Sequence, residues 1–222
     1  MKKIILSLGL LVAGGSFIIT STQSCTAIAT STIGVAIIKK ILLGGIYSAG
    51  KIFNNKEAFL QNDLIIKALP DSLQSLYNGL NKISPQTAKK TKEYIADIAA
   101  DTVNLSTPIL RNAVHQLNSH DVDRIINGGN GMATKVLREK SEKELFNTLL
   151  PKVEAEMNQY GIAQTVNTLM QGLNGLGNLL GKQNNTQKFQ LSHLATEQLV
   201  NGIYFLIEKY ENEERKDLLN KK

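Results

Sequence analysis

Several groups of residues have types that could do chemistry, and each can be set against the spacing that chemistry demands. His120, Asp121 and Asp123 could ligate a cation, but metal ligands must converge on one point and neighbouring positions at a helix start diverge. Carboxylates there are accounted for by the positive end of the helix dipole. His115 and His193 stand apart from this group, and no His-Glu-x-x-His signature exists. Gly128-Gly129-Asn130-Gly131 precedes a helix and could cradle an anion on backbone N–H groups. No strand leads into it and the lysine and hydroxyl of a phosphate loop are not in place, so it reads as a helix-terminating turn.

The acids invite a second chemistry. Glu139, Glu142, Glu144, Glu154 and Glu156 could supply a general acid and base, yet on a helix rich in Lys and Glu they read as a solvent face. Ser141 and Ser192 lack the Gly-x-Ser-x-Gly elbow of an activated nucleophile. Glu208, Glu211, Glu213 and Glu214, near Lys209, Arg215 and Lys216, read as a salt-bridged outer face. Thr134 and Arg138 share a face at i and i+4, where a guanidinium suits a bidentate pair with Asp or Glu. No catalytic residue, metal or cofactor is assigned.

The only cysteine, Cys25, offers a different chemistry. It closes Thr22-Gln23-Ser24-Cys25, after Lys2, Lys3 and an apolar stretch from Ile4 to about Thr20. That stretch is short for a bilayer span but suits the apolar region of a signal peptide, and small residues before the cysteine fit cleavage. The pattern is that of a bacterial lipoprotein: the thiol takes a diacylglyceryl group, residues 1–24 are removed, and the new amine receives a fatty acyl chain such as palmitate. Thr22 stands where leucine is commoner. An uncleaved membrane anchor is the competing reading, and it does not need the small-residue exit.

Charge and composition narrow the partners. Removing residues 1–24 takes away Lys2 and Lys3 and lowers the formal net charge from +6 to +4. A basic excess can mean nucleic acid or anionic lipid. With no Trp, few aromatics and no Arg-rich run, nucleic acid is excluded as a partner. The membrane is the expected partner, held through the lipid on Cys25. An exported chain without a cysteine pair must be stabilised by its core alone.

The elements that would position these residues are all helical. Ile33 to Phe53 is apolar enough to suggest a span, but Lys39 and Lys40 lie near its middle, at about 3 kcal/mol each on insertion scales. Lys40, Gly44, Ser48 and Lys51 line one face, and Ile38, Ile41, Leu42, Ile46, Ala49 and Phe53 cover the rest, which predicts a largely buried amphipathic helix. Leu69-Pro70-Asp71 marks a start, with Leu73, Leu76, Tyr77 and Leu80 on one face. Ser84-Pro85 supplies an N-cap and a proline at the first helical position. The long helix that follows carries a stripe through Tyr94, Ile98, Leu105, Ile109, Ala113 and Leu117, with a kink or break expected near Ser106 because Pro108 lies inside it.

Ser119 is expected to cap a short helix that Asn127-Gly128-Gly129 ends. The next helix spans about Gly131 to Tyr160, with a second kink at Pro151. A short helix around Ile162 to Gln171 and a mobile loop over Gly172 to Gln190 precede a last helix over about Leu191 to Glu213, which buries Leu194, Leu199, Ile203, Leu206 and Tyr210. No segment alternates with period two, so the fold class is all-α: one multi-helix domain of six to eight helices over residues 33–215, after a signal peptide (1–24) and tether (25–32), with a charged tail from 216 to 222.

This order of elements resembles a family of exported bacterial proteins known as domain of unknown function 4197. The matching pieces are Leu69-Pro70, Pro108-Ile109-Leu110, Asp121 with Arg124-Ile125-Ile126 and Gly128, Ala133-Thr134, Arg138-Glu139-Lys140-Ser141, Pro151, Gly161, Asn201 to Phe205 and Glu213-Glu214-Arg215. Lys135, Val136 and Leu137 stand where an aromatic pair is usual. The resemblance implies an exported helical protein, brings no catalytic residues, and marks Asp121, Thr134 and Arg138 as a family-pattern surface. The resulting expectation is a periplasm-facing lipoprotein of the cell envelope, in the outer membrane because no Asp follows Cys25, acting as a non-catalytic binding or scaffold module for an envelope protein or an amphiphile. The alternatives are a lipid carrier with an apolar cavity lined by Ile38, Leu42 and Ile46, and an envelope hydrolase whose site forms only in three dimensions.

Overall fold

The computed structural model describes residues 32–62, 78–82, 84–162, 164–165 and 185–220. Its named elements are α1 (Thr32–Phe53), α2 (Lys56–Leu60), α3 (Pro85–His115), α4 (Ser119–Gly128), α5 (Met132–Gln159) and α6 (Asn185–Asn220). Among the described residues there is no strand, and the protein is a single all-α domain. No helix there is long and apolar enough to cross a membrane.

Four long helices close a ring in which α1 packs on α3, α3 on α5, α5 on α6, and α6 back on α1. Cross-helix pairs fix the directions. Lys39 meets the His115 carbonyl, Tyr94 stacks on Tyr160, Thr134 meets Glu211 while Ser141 meets Tyr204, and Gly44 faces Tyr210 while Gly202 faces Phe53. Each long helix is therefore antiparallel to both neighbours, the up-down arrangement of a four-helix bundle. The short helix α2 packs against α1 and α3, and α4 packs on α5 with a smaller contact to α1.

The face predicted for α1 is the face it buries. Ile38, Ile41, Leu42, Ile46, Ala49 and Phe53 are all buried, while Lys40 and Lys51 are exposed. A Cβ at Gly45 would lie 3.0 Å from Ile207 Cγ2 and 3.3 Å from the Ile207 backbone, so this glycine permits the close approach of α1 to α6. Ser84 caps α3 with Pro85 at its first position, as the dipeptide predicts.

Pro108 and Pro151 both lie inside continuous helices: residues 85–115 form one helix, unbroken at Ser106, and α5 runs on through Pro151. Both prolines lie on the exposed side, and the carbonyls they cannot serve belong to Asn104 and Asn147, both exposed residues that water can satisfy. Of the stripe expected on α3, Ile98, Ala113 and Leu117 are buried and Tyr94 and Ile109 pack against the core, but Leu105 is exposed, and Ala96, Ala99, Val103, Leu110 and Val114 widen the inner face. Thr102 and Ser106 sit on that inner face because their hydroxyls donate to the Ala99 and Thr102 carbonyls and leave no unpaired donor.

The N-cap of α4 is Asn118 and not Ser119. Asn118 accepts from the Asp121 N–H while Asp121 accepts from the Asn118 N–H, a reciprocal box that Ser119 cannot form because its third helical position would hold Val122. Residues 185–190, expected in the mobile loop, are helical, and α6 continues through residues 216–220 of the expected tail. The loop residues 172–184, the helix start at 69–71 and most of the 162–171 helix lie outside the described residues.

Candidate functional site

The start of α5 lacks a side-chain cap of its own. Gly131 stands at its N-cap in the left-handed region (φ 72°), which leaves the first N–H groups of the helix to be satisfied from elsewhere. Glu211 of α6 satisfies them. Its carboxylate accepts from Ala133 N at 3.0 Å, Thr134 N at 2.7 Å and Thr134 Oγ1 at 2.8 Å, and the residue is fully buried. Arg215, one turn further along α6, donates from Nε to Glu211 Oε1 at 2.9 Å and from Nη2 to the Ile125 carbonyl at 3.0 Å. An anion thus sits at the positive end of α5 and a cation reaches the last turns of α4, both sign-matched to the helix dipoles.

Glu211 and Arg215, expected on a salt-bridged outer face, do form an ion pair, but Glu211 is fully buried and Arg215 is mostly covered. Glu211 continues the buried stripe of Leu199, Ile203 and Ile207 at i+4, and an acid on an apolar stripe was the signal available. Glu156 departs in the same way. It falls on the stripe of Val153, Met157 and Tyr160, is buried, and takes Lys152 as partner. Its second oxygen has no hydrogen bond. Burial, with Asp101 adding to it against Lys152, pushes the Glu156 carboxyl above its ordinary range.

Beside the α5 start lies a groove of about 580 Å³ between α5 and α6, lined by Asn130, Gly131, Met132, Thr134, Lys135, Arg138, Asn201, Tyr204, Phe205 and Glu208. Gly131 is favoured there because its φ is positive, and the movable Glu208 carboxylate lies against it. Arg138 is held on three sides. Its Nε and Nη2 donate to Glu142 Oε1, Nη2 also donates to Asn201 Oδ1 at 2.6 Å, and its guanidinium carbon lies 5.2 Å from the centre of the Tyr204 ring. Burial pushes the Tyr204 phenol up to about 12 while its bond to the Ser141 hydroxyl at 2.9 Å opposes this, so the ring stays neutral. Phe205 is exposed at 44%. Among the described residues Nη1 of Arg138 forms no hydrogen bond, so a positioned cation keeps a donor edge beside an exposed aromatic ring.

Of the three residues singled out by the family pattern, Thr134 and Arg138 line this groove and Asp121 does not. Thr134 is committed to Glu211. Asp121 holds α4 to α5, accepting from Lys140 Nζ at 3.0 Å. Burial would raise its carboxyl, but the Asn118 N–H and Lys140 outweigh that and hold it below the usual carboxylate range. His120 is exposed and Asp123 accepts from Asn127, so the 120–123 group does not converge. Among the described residues no three His, Cys, Asp or Glu side chains could share a metal.

The pieces that carried the family resemblance from Pro108 to Arg215 lie along α3, α4, α5 and α6 and at the Gly161 turn, and the family model for the protein of unknown function DUF4197 matches residues 29–222. The chain belongs to this family. The match takes in Asp121, Thr134 and Arg138 and begins after Cys25. No curated protein and no solved structure matches the chain.

Proposed function

We propose that this DUF4197 protein is a lipid-anchored, non-catalytic binding module of the cell envelope, tethered at Cys25 in the outer membrane and facing the periplasm, and that it holds a segment of another envelope protein in the α5–α6 groove. The observation that carries this reading is Arg138, fixed by Glu142 and Asn201 over Tyr204 with Nη1 open beside exposed Phe205. A fixed guanidinium next to an apolar wall suits a carboxylate-bearing, partly apolar protein segment, because the already held Nη1 edge loses little freedom on pairing and the ring contributes buried area. Lys135 and Glu208 on the same groove add a cation and an anion that can set the register of that segment.

The packing of α1 favours a scaffold over a lipid carrier. Ile38, Leu42 and Ile46, the residues a carrier would expose to an acyl chain, are in the core at 6%, 0% and 4% exposure. The hydrolase reading is weakened by the dispersal of Arg138, Thr134 and the acids at 121 and 123 into separate structural contacts. Two measurements test the proposal. A Cys25→Ala variant should leave the detergent phase in which the parent partitions, and unchanged partition would overturn the lipid anchor. A photocrosslinking side chain placed at position 205 of the parent should give one discrete protein adduct in intact envelopes, weakened by Arg138→Ala. Adducts with lipid alone, or none, would overturn the groove as a partner site.

A further inference from the structure

A second groove lies on the opposite side of α1, away from α6. It has a volume of about 530 Å³, and its walls include Tyr47, Lys51 and Asn54 of α1 and the turn after it and Thr107 and Arg111 of α3. Tyr47 is 66% exposed, the most open large apolar side chain among the described residues, and Lys51 Nζ sits 4.7 Å from the centre of its ring. Residues 36, 40, 43, 47, 51 and 54 follow one another at helical spacing, so Lys40 shares this outer stripe. Lys39 lies at its edge and reaches the His115 carbonyl at the end of α3.

The charge on this side is of one sign. No Asp or Glu occurs from residue 32 to 56 or from 102 to 120, which covers α1 and the half of α3 that faces it, and Lys39, Lys40, Lys51 and Arg111 all lie there. Several cations elsewhere have acidic partners: Lys56 with Asp97, Arg124 with Glu139, Arg138 with Glu142, Lys140 with Asp121 and Lys152 with Glu156. Among the described residues Lys40, Lys51 and Arg111 enter no ion pair. An exposed aromatic ring set among unpaired cations is the composition of a surface that rests at a bilayer interface, where the ring enters the headgroup layer and the cations meet lipid phosphate.

Chain length says which surface is within reach. Six residues, 26–31, separate Cys25 from Thr32, and extended they span roughly 20 Å. If Cys25 carries the lipid, the start of α1 cannot leave the neighbourhood of the bilayer. We infer that the Tyr47–Lys51–Arg111 face of α1 and α3 lies flat on the anionic phospholipid headgroups of the membrane that holds the Cys25 lipid. This rests on the proposed lipid anchor. It goes beyond it, because a tether alone restrains only the Thr32 end, whereas residue 54 is about 33 Å further along the helix. In the docked state the α5–α6 groove, on the far side of α6 from this face, is turned away from the bilayer and open to a partner.

Acylation of Cys25 leaves no free thiol in the chain, so an introduced cysteine can be labelled alone. The acylated protein carrying a spin label at Asn54→Cys, or at the exposed Glu144→Cys on α5, is reconstituted in phosphatidylcholine vesicles with and without phosphatidylglycerol. With the anionic lipid, collision of the residue-54 label with a water-soluble paramagnet should fall several-fold while the residue-144 label is unaffected, and Lys51→Glu with Arg111→Glu should restore it. Equal accessibility of the two labels, or protection indifferent to the charge reversals, would overturn flat docking. Failure of the anchor reads differently: protein with Cys25 intact would then not stay with the vesicles at all.

Discussion

The Glu211 carboxylate and the Thr134 hydroxyl meet at 2.8 Å across the α5–α6 interface, and the same carboxylate takes the two N–H groups that open α5. One side chain near the end of the last helix thus substitutes for the N-cap that Gly131 cannot supply. Glu211→Ala would leave those donors and the Arg215 guanidinium unmatched in a buried site, so the unfolding free energy should fall by about 3–5 kcal/mol. Denaturant unfolding should show a lower midpoint at unchanged slope. Glu211→Gln, which keeps one acceptor, should lose less.

The α5–α6 groove responds to a different residue. The Arg138 and Glu142 side chains are 40% and 45% exposed, and exposed pairs of this kind contribute only about 0–1 kcal/mol after solvent screening. Arg138→Ala should therefore leave thermal unfolding nearly unchanged while reducing the crosslinked adduct at position 205. Arg138→Lys should also reduce it, because an ammonium cannot hold Glu142 and Asn201 and still present a fixed, open donor edge to a carboxylate.

How much of this was legible follows from what each residue must satisfy. The buried face of α1 was readable because its apolar residues outnumber its polar ones and only one orientation hides them. Ser84-Pro85 and Asn127-Gly129 were readable because helix ends have local requirements. Glu211 was not, since its partners on α5 lie 77 and 78 residues away and the acids around it do face water. Its place in line with Ile203 and Ile207 was the one local hint. Leu105 misled for the opposite reason: next to it the inner face of α3 uses Thr102 and Ser106, which a search for large apolar residues passes over.

Two glycines of α1 should respond in opposite directions. Gly45→Ala puts a Cβ 3.0 Å from an Ile207 methyl and 3.3 Å from its backbone, so α1 and α6 must separate, and a loss of about 1–3 kcal/mol is expected. Gly50 has nothing within 4 Å of the added carbon, and Gly50→Ala should stabilise the helix by about 0.5–1 kcal/mol. Paired melts of the two variants check this, and equal shifts would show that helix propensity outweighs the contact.

Glu156 and Asp121 should give the acid limb of the stability curve two opposing parts. The folded state holds Glu156 above its ordinary value of 4.5, so folding favours its protonated form and stability rises as pH falls from neutral through that raised value. Asp121 is held below its ordinary 3.8, so its contribution is complete above that value and is lost as pH falls further. Glu156→Gln should remove the first part alone. Relative to this variant, the parent should gain stability as pH falls from neutral towards the ordinary value of 4.5, and both should then lose it at lower pH as Asp121 takes up its proton. Urea midpoints across that range read the difference directly. Parallel curves for parent and variant would mean that Lys152 keeps Glu156 ionised throughout, with the Coulombic attraction outweighing the burial of its second oxygen.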